Sequence, residues 1–278
     1  MRGLTVLAYA KLNLTLRVVG RRADGYHELQ SLVTAVDLAD RITLAPAEHG
    51  ITLDAPPELG PPEANLAFRA ARALLLGEGP GVRITLRKGI PAGAGLGGGS
   101  SDAAAVLAGL NDLFALGKPL HELQTIGAGL GADVPFFLGP SPAWVEGVGD
   151  RITPLDVPLP AAFLILVPPF RCPTPDVYRA FDELGLPLSP PGPPPAGVAI
   201  ANDLWPAAVQ LFPELLDVQS ALARVSPGGA GMTGSGSALF APFPSGEEAE
   251  VGRRRVRPDV EGDLFIASPT QSGYRIAG

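Results

Sequence analysis

Residues 91–102 read Pro-Ala-Gly-Ala-Gly-Leu-Gly-Gly-Gly-Ser-Ser-Asp, and five of the seven positions from Gly93 to Gly99 are glycine. Upstream, Val82 to Leu86 alternates as a strand does. Downstream, apolar residues at Ala104, Leu107, Ala108, Leu110 and Phe114 predict an amphipathic helix over 101–114. A glycine-dense turn between strand and helix lets the backbone take positive φ and come close to a ligand, with successive N–H groups turned inward as an anion nest. The helix, starting at Ser100 or Ser101, aims its unpaired N–H groups and positive dipole end at the same point. A phosphate is the expected occupant, and a tight turn capped by Ser101 is the competing reading. Gly93, Gly95 and Gly98 satisfy G-x-G-x-x-G, yet residues 103–130 read as helical where a dinucleotide fold needs a second parallel strand. No Gly-Lys-Ser/Thr closes the loop, so the Walker A pattern fails as well.

Outward from this loop, Leu4 to Val19 alternates with period two. Its even-numbered positions are apolar, and Tyr9, Lys11, Asn13, Thr15 and Arg17 form the other face, which predicts one long half-buried strand. Residues 21–25 read as a turn, 32–36 and 41–44 as two further strands, and Asn65 to Leu76 and Leu120 to Leu130 as helices. Trp144 to Ile152 reads as a hairpin turning at Gly147 and Gly149. Beyond Pro154 the pattern restarts: strands at 162–167, 237–241 and 264–267, and helices at 176–184, 207–225 and 247–255. Residues 187–197, rich in proline, predict an extended surface loop. Elements mix without regular βαβ alternation, so the class is α+β. The 278 residues fit about two domains, divided here into 1–155 and 156–278.

Composition sets limits. Hydrophobic residues make up 46% and charged residues 18%, enough to build two cores and too apolar for disorder. A net charge of −7 argues against a nucleic-acid partner, which needs clustered cations. The longest apolar run, Ala161 to Val167, is short of the roughly 18 residues of a membrane helix, so no membrane is expected. A single cysteine, Cys172, points to a reducing compartment and hence to the cytoplasm. His27, His49 and His121 are dispersed, and no metal site built from protein ligands is expected. Monomer and homodimer both remain open.

Two further clusters carry chemistry. Gly231-Met232-Thr233-Gly234-Ser235-Gly236-Ser237 is a second glycine and hydroxyl loop, readable also as a structural turn. Lys11 and Asn13 project from the same side of the first strand, about 7 Å apart; a strand lysine can equally be a solvated edge residue.

The three clusters together resemble the GHMP small-molecule kinase superfamily, which includes galactokinase, homoserine kinase and mevalonate kinase. The runs that carry the resemblance are Ala10 to Leu14, Asp24 to Leu29, Pro91 to Asp102, Leu130 to Phe137 and Met232 to Ser237, in the superfamily's order across both halves of the chain. Asp24 to Leu29 and Gly131-Ala132-Asp133-Val134-Pro135 are similar to the branch acting on a cytidylylated methylerythritol of the non-mevalonate isoprenoid pathway.

The resemblance implies an N-terminal domain like ribosomal protein S5 domain 2, a C-terminal ferredoxin-like domain and an active site between them. It implies γ-phosphoryl transfer from ATP, with Mg²⁺ carried by the nucleotide, to the 2-hydroxyl of 4-diphosphocytidyl-2-C-methyl-D-erythritol, a small-molecule cytidine diphosphate substrate. Lys11 and Asp133 match the catalytic pair. Pro91, Ala92, Gly93, Ala94, Gly95, Leu96, Gly97, Gly98, Gly99, Ser100 and Ser101 match the ATP loop, with Asn65 and Lys88 on the adenosine side. Asn13, Tyr26, His27, Tyr178, Gly234, Ser235 and Gly236 match the acceptor side, Tyr178 packing on cytosine. Independently of the resemblance, phosphoryl transfer needs backbone donors for phosphate and a carboxylate for the hydroxyl proton, which Asp133 can be; as a lone residue it reads as a cap before Val-Pro. The alternatives are another kinase of the superfamily, a mevalonate or homoserine kinase, which lacks the Gly25-Tyr26-His27 run, or a catalytically silent nucleotide sensor.

Overall fold

The computed structural model describes residues 3–75 and 80–277. Strands β1 (Leu4–Arg21) and β2 (His27–Ala47) form a long antiparallel pair, joined through a turn in which Gly25 takes φ +88°. Strand β3 (Ile51–Asp54), helix α1 (Leu66–Leu75), strand β4 (Gly81–Arg87) and helices α2 (Gly98–Leu113), α3 (Leu120–Ala128) and α4 (Val134–Leu138) follow. The hairpin of β5 (Ala143–Gly147) and β6 (Arg151–Pro154) ends this half. The rest of the chain contributes β7 (Ala162–Val167), α5 (Thr174–Glu183), β8 (Ala201–Asn202), α6 (Trp205–Leu211) and α7 (Leu215–Val225). Last come β9 (Gly231–Met232), β10 (Leu239–Phe243), α8 (Gly246–Val256), β11 (Asp263–Ala267), β12 (Pro269–Thr270) and β13 (Tyr274–Ala277).

The strands make a nine-stranded sheet, ordered β13-β1-β2-β4-β3 with β5, β6, β8 and β12 alongside, and a four-stranded antiparallel sheet, β11-β7-β10-β9. The α+β class stands, with the chain's closing strands returning to pair with β1 and β2. Strand alternation explains how the two sheets join. Along β7, Ala162, Leu164 and Leu166 pack under α5–α8, while Phe163 and Ile165 meet Leu12 and Leu14 of β1. Farther back on β1, Val6 and Ala8 pack beneath α1 and α2.

Several expectations are corrected. β1 is buried on both faces rather than one: Lys11 is 6% and Asn13 8% exposed, because the two glycine loops close over the polar face, Gly97 against Lys11 and Gly234 against Lys11 and Asn13. The Lys11 N–H donates to the Leu96 carbonyl at 3.0 Å and the Asn13 N–H to Thr233 Oγ1 at 3.0 Å. The two strands expected at 32–36 and 41–44 are one, β2, whose ladder with β1 skips Asp37 and Leu38 as a bulge. Helix α2 begins at Gly98, ahead of Ser101, and is buried almost all round rather than amphipathic, because β1, β2 and the neighbouring helices enclose it. The helix expected over 207–225 breaks into α6 and α7 around Pro213. The helix expected over 65–76 is present as α1 from Leu66 as far as Leu75; Leu76 lies outside the described residues. The proline-rich 187–197 segment has no helix or strand, and the Ser189 and Gly192 N–H groups tie it to Val18 O and Gln30 Oε1.

Candidate active site

The glycine loop closes against the second glycine loop. Gly93, Gly95 and Gly97 all take positive φ, +74°, +79° and +72°. A Cβ at Gly95 would lie 2.5 Å from the Thr233 carbonyl oxygen and 2.9 Å from that of Gly236, so here backbone meets backbone and only glycine fits. Gly97, left-handed, sits before α2, which has no side-chain cap. The helix's first N–H groups therefore come from Gly98, Gly99 and Ser100. Ser101 does not cap the helix: its hydroxyl is sealed inside without a partner.

Two cavities open around this junction. The smaller, about 350 Å³, runs along residues 91–100 and is lined also by Asn65 and Lys88. The larger, about 810 Å³, holds Lys11, Asn13, Asp133, Tyr26, His27 and Tyr178. Gly95, Gly97 and Ser100 line both. Most of the residues singled out from the sequence are thus brought to two cavities that share a wall. Ser101 and Gly236 line neither cavity; Gly236 instead lies against Met232 and Cys172, where a Cβ would meet sulfur at 2.8 Å.

Lys11 Nζ lies 3.9 Å from Asp133 Oδ2 and hydrogen-bonds Asn13 Oδ1. Asn13 is held in turn by its Nδ2 donating to Ser31 Oγ at 2.8 Å. The Asp133 side chain is half exposed and, although it precedes α4, makes no capping hydrogen bond, which removes the reading of it as a cap. In the same cavity, the His27 and Tyr178 rings stack with centroids 4.8 Å apart. Burial, with the Asp133 charge adding to it, pushes the Tyr178 phenol upward.

Both halves of the chain match GHMP kinase family models, the N-terminal domain over residues 65–139 and the C-terminal domain over 196–260. A 4-diphosphocytidyl-2-C-methyl-D-erythritol kinase of Symbiobacterium thermophilum is 40% identical over 269 residues, covering 90% of this chain and 94% of that protein. One of Moorella thermoacetica is 42% identical over 265 residues, covering 88% and 92%. The chain belongs to the 4-diphosphocytidyl-2-C-methyl-D-erythritol kinase family. A crystal structure of a 4-(cytidine 5'-diphospho)-2C-methyl-D-erythritol kinase superposes with TM-score 0.79 at 38% identity, covering 95% of this chain and 99% of that one. A mevalonate kinase shares the fold alone, with TM-score 0.67 at 13% identity, covering 96% and 99%.

Within this kinase fold, the sequence reading missed three residues. Asp182 and Arg21 both border the larger cavity. Asp182 lies four residues beyond Tyr178, a helical spacing that puts them on one face of α5. Asp40 was also missed, and it explains Lys88. The Lys88 ammonium bridges Asp40 and Asp102 Oδ2, the latter at 2.8 Å, while Asp40 Oδ1 accepts the Gly89 and Ile90 N–H groups at 2.7 and 2.9 Å. Burial pulls the lysine down, but the Asp102 and Asp40 carboxylates outweigh it and hold Lys88 above its ordinary range. Burial pushes the Asp102 carboxyl well above the usual range, Lys88 opposing and Asp40 reinforcing. With Asp40 completely buried, Asp40→Ala takes one of the two carboxylates from Lys88, which keeps Asp102, and leaves the Gly89 and Ile90 N–H groups without their acceptor; a loss of about 2–4 kcal/mol is expected, read as a lower urea midpoint.

Proposed function

We infer that the chain transfers the γ-phosphoryl group of ATP to the 2-hydroxyl of 4-diphosphocytidyl-2-C-methyl-D-erythritol, the reaction its family carries in isoprenoid biosynthesis. The observation that carries this reading is that Gly95, Gly97 and Ser100 line both cavities. A nucleotide lying along the glycine loop would end there, facing Lys11 and Asp133. Asn65, whose Oδ1 caps α1 by accepting the Ala67 N–H, keeps its amide N–H groups for adenosine. Lys88 borders the same cavity but spends its ammonium on two carboxylates, so its part is to shape the adenosine side.

Backbone N–H groups from 97–100 would bind the phosphates, whose charge needs donors already in place. Mg²⁺ brought with ATP would offset phosphate charge; it takes oxygen donors, and Ser100, bordering both cavities, has a hydroxyl that would hold it. Asp133 takes the proton of the attacking hydroxyl, and Lys11, oriented by Asn13, polarises that oxygen. Tyr26, His27 and Tyr178 hold the cytidine end, with Gly234 and Ser235 closing the acceptor side beside Lys11. For such a reaction the chain divides near residue 155, each side supplying one wall. Among the described residues no helix is long and apolar enough to cross a membrane; a cytoplasmic enzyme, as monomer or homodimer, suits a diffusible substrate.

ADP release measured on a panel of acceptors tests the reading. The cytidyl substrate should turn over and be competed by CDP, while mevalonate and homoserine should not react; faster turnover of either would assign the chain a different acceptor. Tyr26, 68% exposed at the cavity, should stack on the base, so Tyr26→Ala should raise KM for the cytidyl substrate about tenfold and leave that for ATP unchanged.

A further inference from the structure

One wall of the larger cavity is a clamp on a single imidazole. His27 opens β2, whereas Tyr178 and Asp182 stand one turn apart on α5, in the other half of the chain. Tyr178 stacks on the His27 ring at an interplanar angle of 27°, and Phe181 meets it edge-on at 5.9 Å between centroids. Asp182 Oδ1 lies 2.8 Å from His27 Nε2, and Arg21 Nη2 lies 3.3 Å from Asp182 Oδ2. The His27 side chain is only 7% exposed, so its ring is gripped on several sides.

A carboxylate only accepts, so the contact places a proton on Nε2. Nδ1 makes no hydrogen bond among the described residues, and it is not one of the sealed, unpartnered atoms, which there are Ser101 Oγ and Asp102 Oδ1. The hydrogen bond made by one ring nitrogen decides the character of the other.

We propose that Asp182 is a positioning residue for base selection: by holding the Nε2 proton and the ring plane of His27, it presents Nδ1 to the pyrimidine edge of the acceptor. This rests on the acceptor's carrying cytosine. In the neutral ring so held, Nδ1 is an acceptor, matched by the 4-amino group of cytosine and opposed by the 4-carbonyl of uracil. Without Asp182 the proton exchanges between the two nitrogens, and the edge offers donor and acceptor alternately. Discrimination between the two bases then falls, while the ATP side, lined by other residues, is untouched.

The experiment compares wild type, Asp182→Ala and the isosteric Asp182→Asn, which keeps an acceptor oxygen. Steady-state KM for both substrates is measured, together with binding of CDP and UDP. Asp182→Ala should raise KM for the cytidyl substrate about tenfold with KM for ATP within twofold, and cut the CDP-over-UDP preference at least fivefold; Asp182→Asn should retain most of that preference. ¹⁵N chemical shifts of His27 should show Nε2 protonated in the wild type and mixed tautomers in Asp182→Ala. A wild type that prefers CDP alongside an Asp182→Ala variant that keeps the preference overturns the role of Asp182 alone. A parallel rise in both KM values reports a merely structural role and overturns it as well. A wild type without preference for CDP overturns the cytidine reading and this proposal together.

Discussion

Asp133→Asn is expected to lower kcat by about 10²–10⁴-fold, the range commonly supplied by a positioned general base, with KM for ATP within about threefold. The carboxylate stands 3.9 Å from Lys11 Nζ at the acceptor side of the junction and lines only the larger cavity. Replacing one oxygen by an amide nitrogen removes the proton acceptor and leaves the glycine loop alone. The fold should not suffer, since the side chain is half exposed and caps nothing; the urea midpoint should correspond to a change within about 0.5 kcal/mol. Steady-state kinetics and a denaturation curve on the same preparation decide the matter. A variant keeping half of wild-type kcat would remove Asp133 from the chemistry.

Gly95→Ala is expected to act on both cavities at once. Its Cβ would fall 2.5 Å from one carbonyl oxygen of the second glycine loop and 2.9 Å from another, at a φ of +79°, so neither loop can yield by turning a side chain. The loops must separate, and Gly95 is one of the residues both cavities share. A fall in kcat/KM of at least about 100-fold is expected, with a stability loss of about 1–3 kcal/mol, the usual cost of overpacking. Gly50→Ala makes the control: φ there is +70°, but nothing lies within 4 Å of the added Cβ. That variant should lose about 1–2 kcal/mol to backbone strain and keep its activity. Comparable activity loss in both would mean that positive φ alone, and not the contact between loops, accounts for the effect at Gly95.

Local patterns were legible wherever the physics is local. The glycine run from 93 to 99 signalled an anion nest, and the structure places its backbone along a cavity. The hairpin at Gly147 and Gly149 was legible because both glycines take positive φ, and β7 because its apolar run is bounded by prolines. Reading failed where neighbours distant in sequence override local preference. The polar face of β1 looks solvated in isolation, but Gly97 and Gly234 of the two glycine loops lie over the Lys11 and Asn13 side chains. The bulge at Asp37 exists because its N–H finds the Ser268 carbonyl instead of β1. Ser101 reads as a cap, yet α2 begins at Gly98 and turns that hydroxyl inward.

The sequence alone therefore determined which segment would become a glycine turn leading into a helix, which strands would carry Lys11 and the second glycine loop, and that the chain would be α+β. These follow from φ freedom at glycine, period-two alternation and helical spacing, each acting over a few residues. Only the tertiary structure decided that His27 meets Asp182, 155 residues away, and that Asn13 meets Thr233 across 220 residues. It alone also decided that Lys88 is shared between Asp40 and Asp102. Such pairs depend on how the two sheets pack: Phe163 and Ile165 of one against Leu12 and Leu14 of the other bring β1 and the second half of the chain together. Packing of that kind is a property of assembled surfaces, and no short stretch of residues encodes its partner.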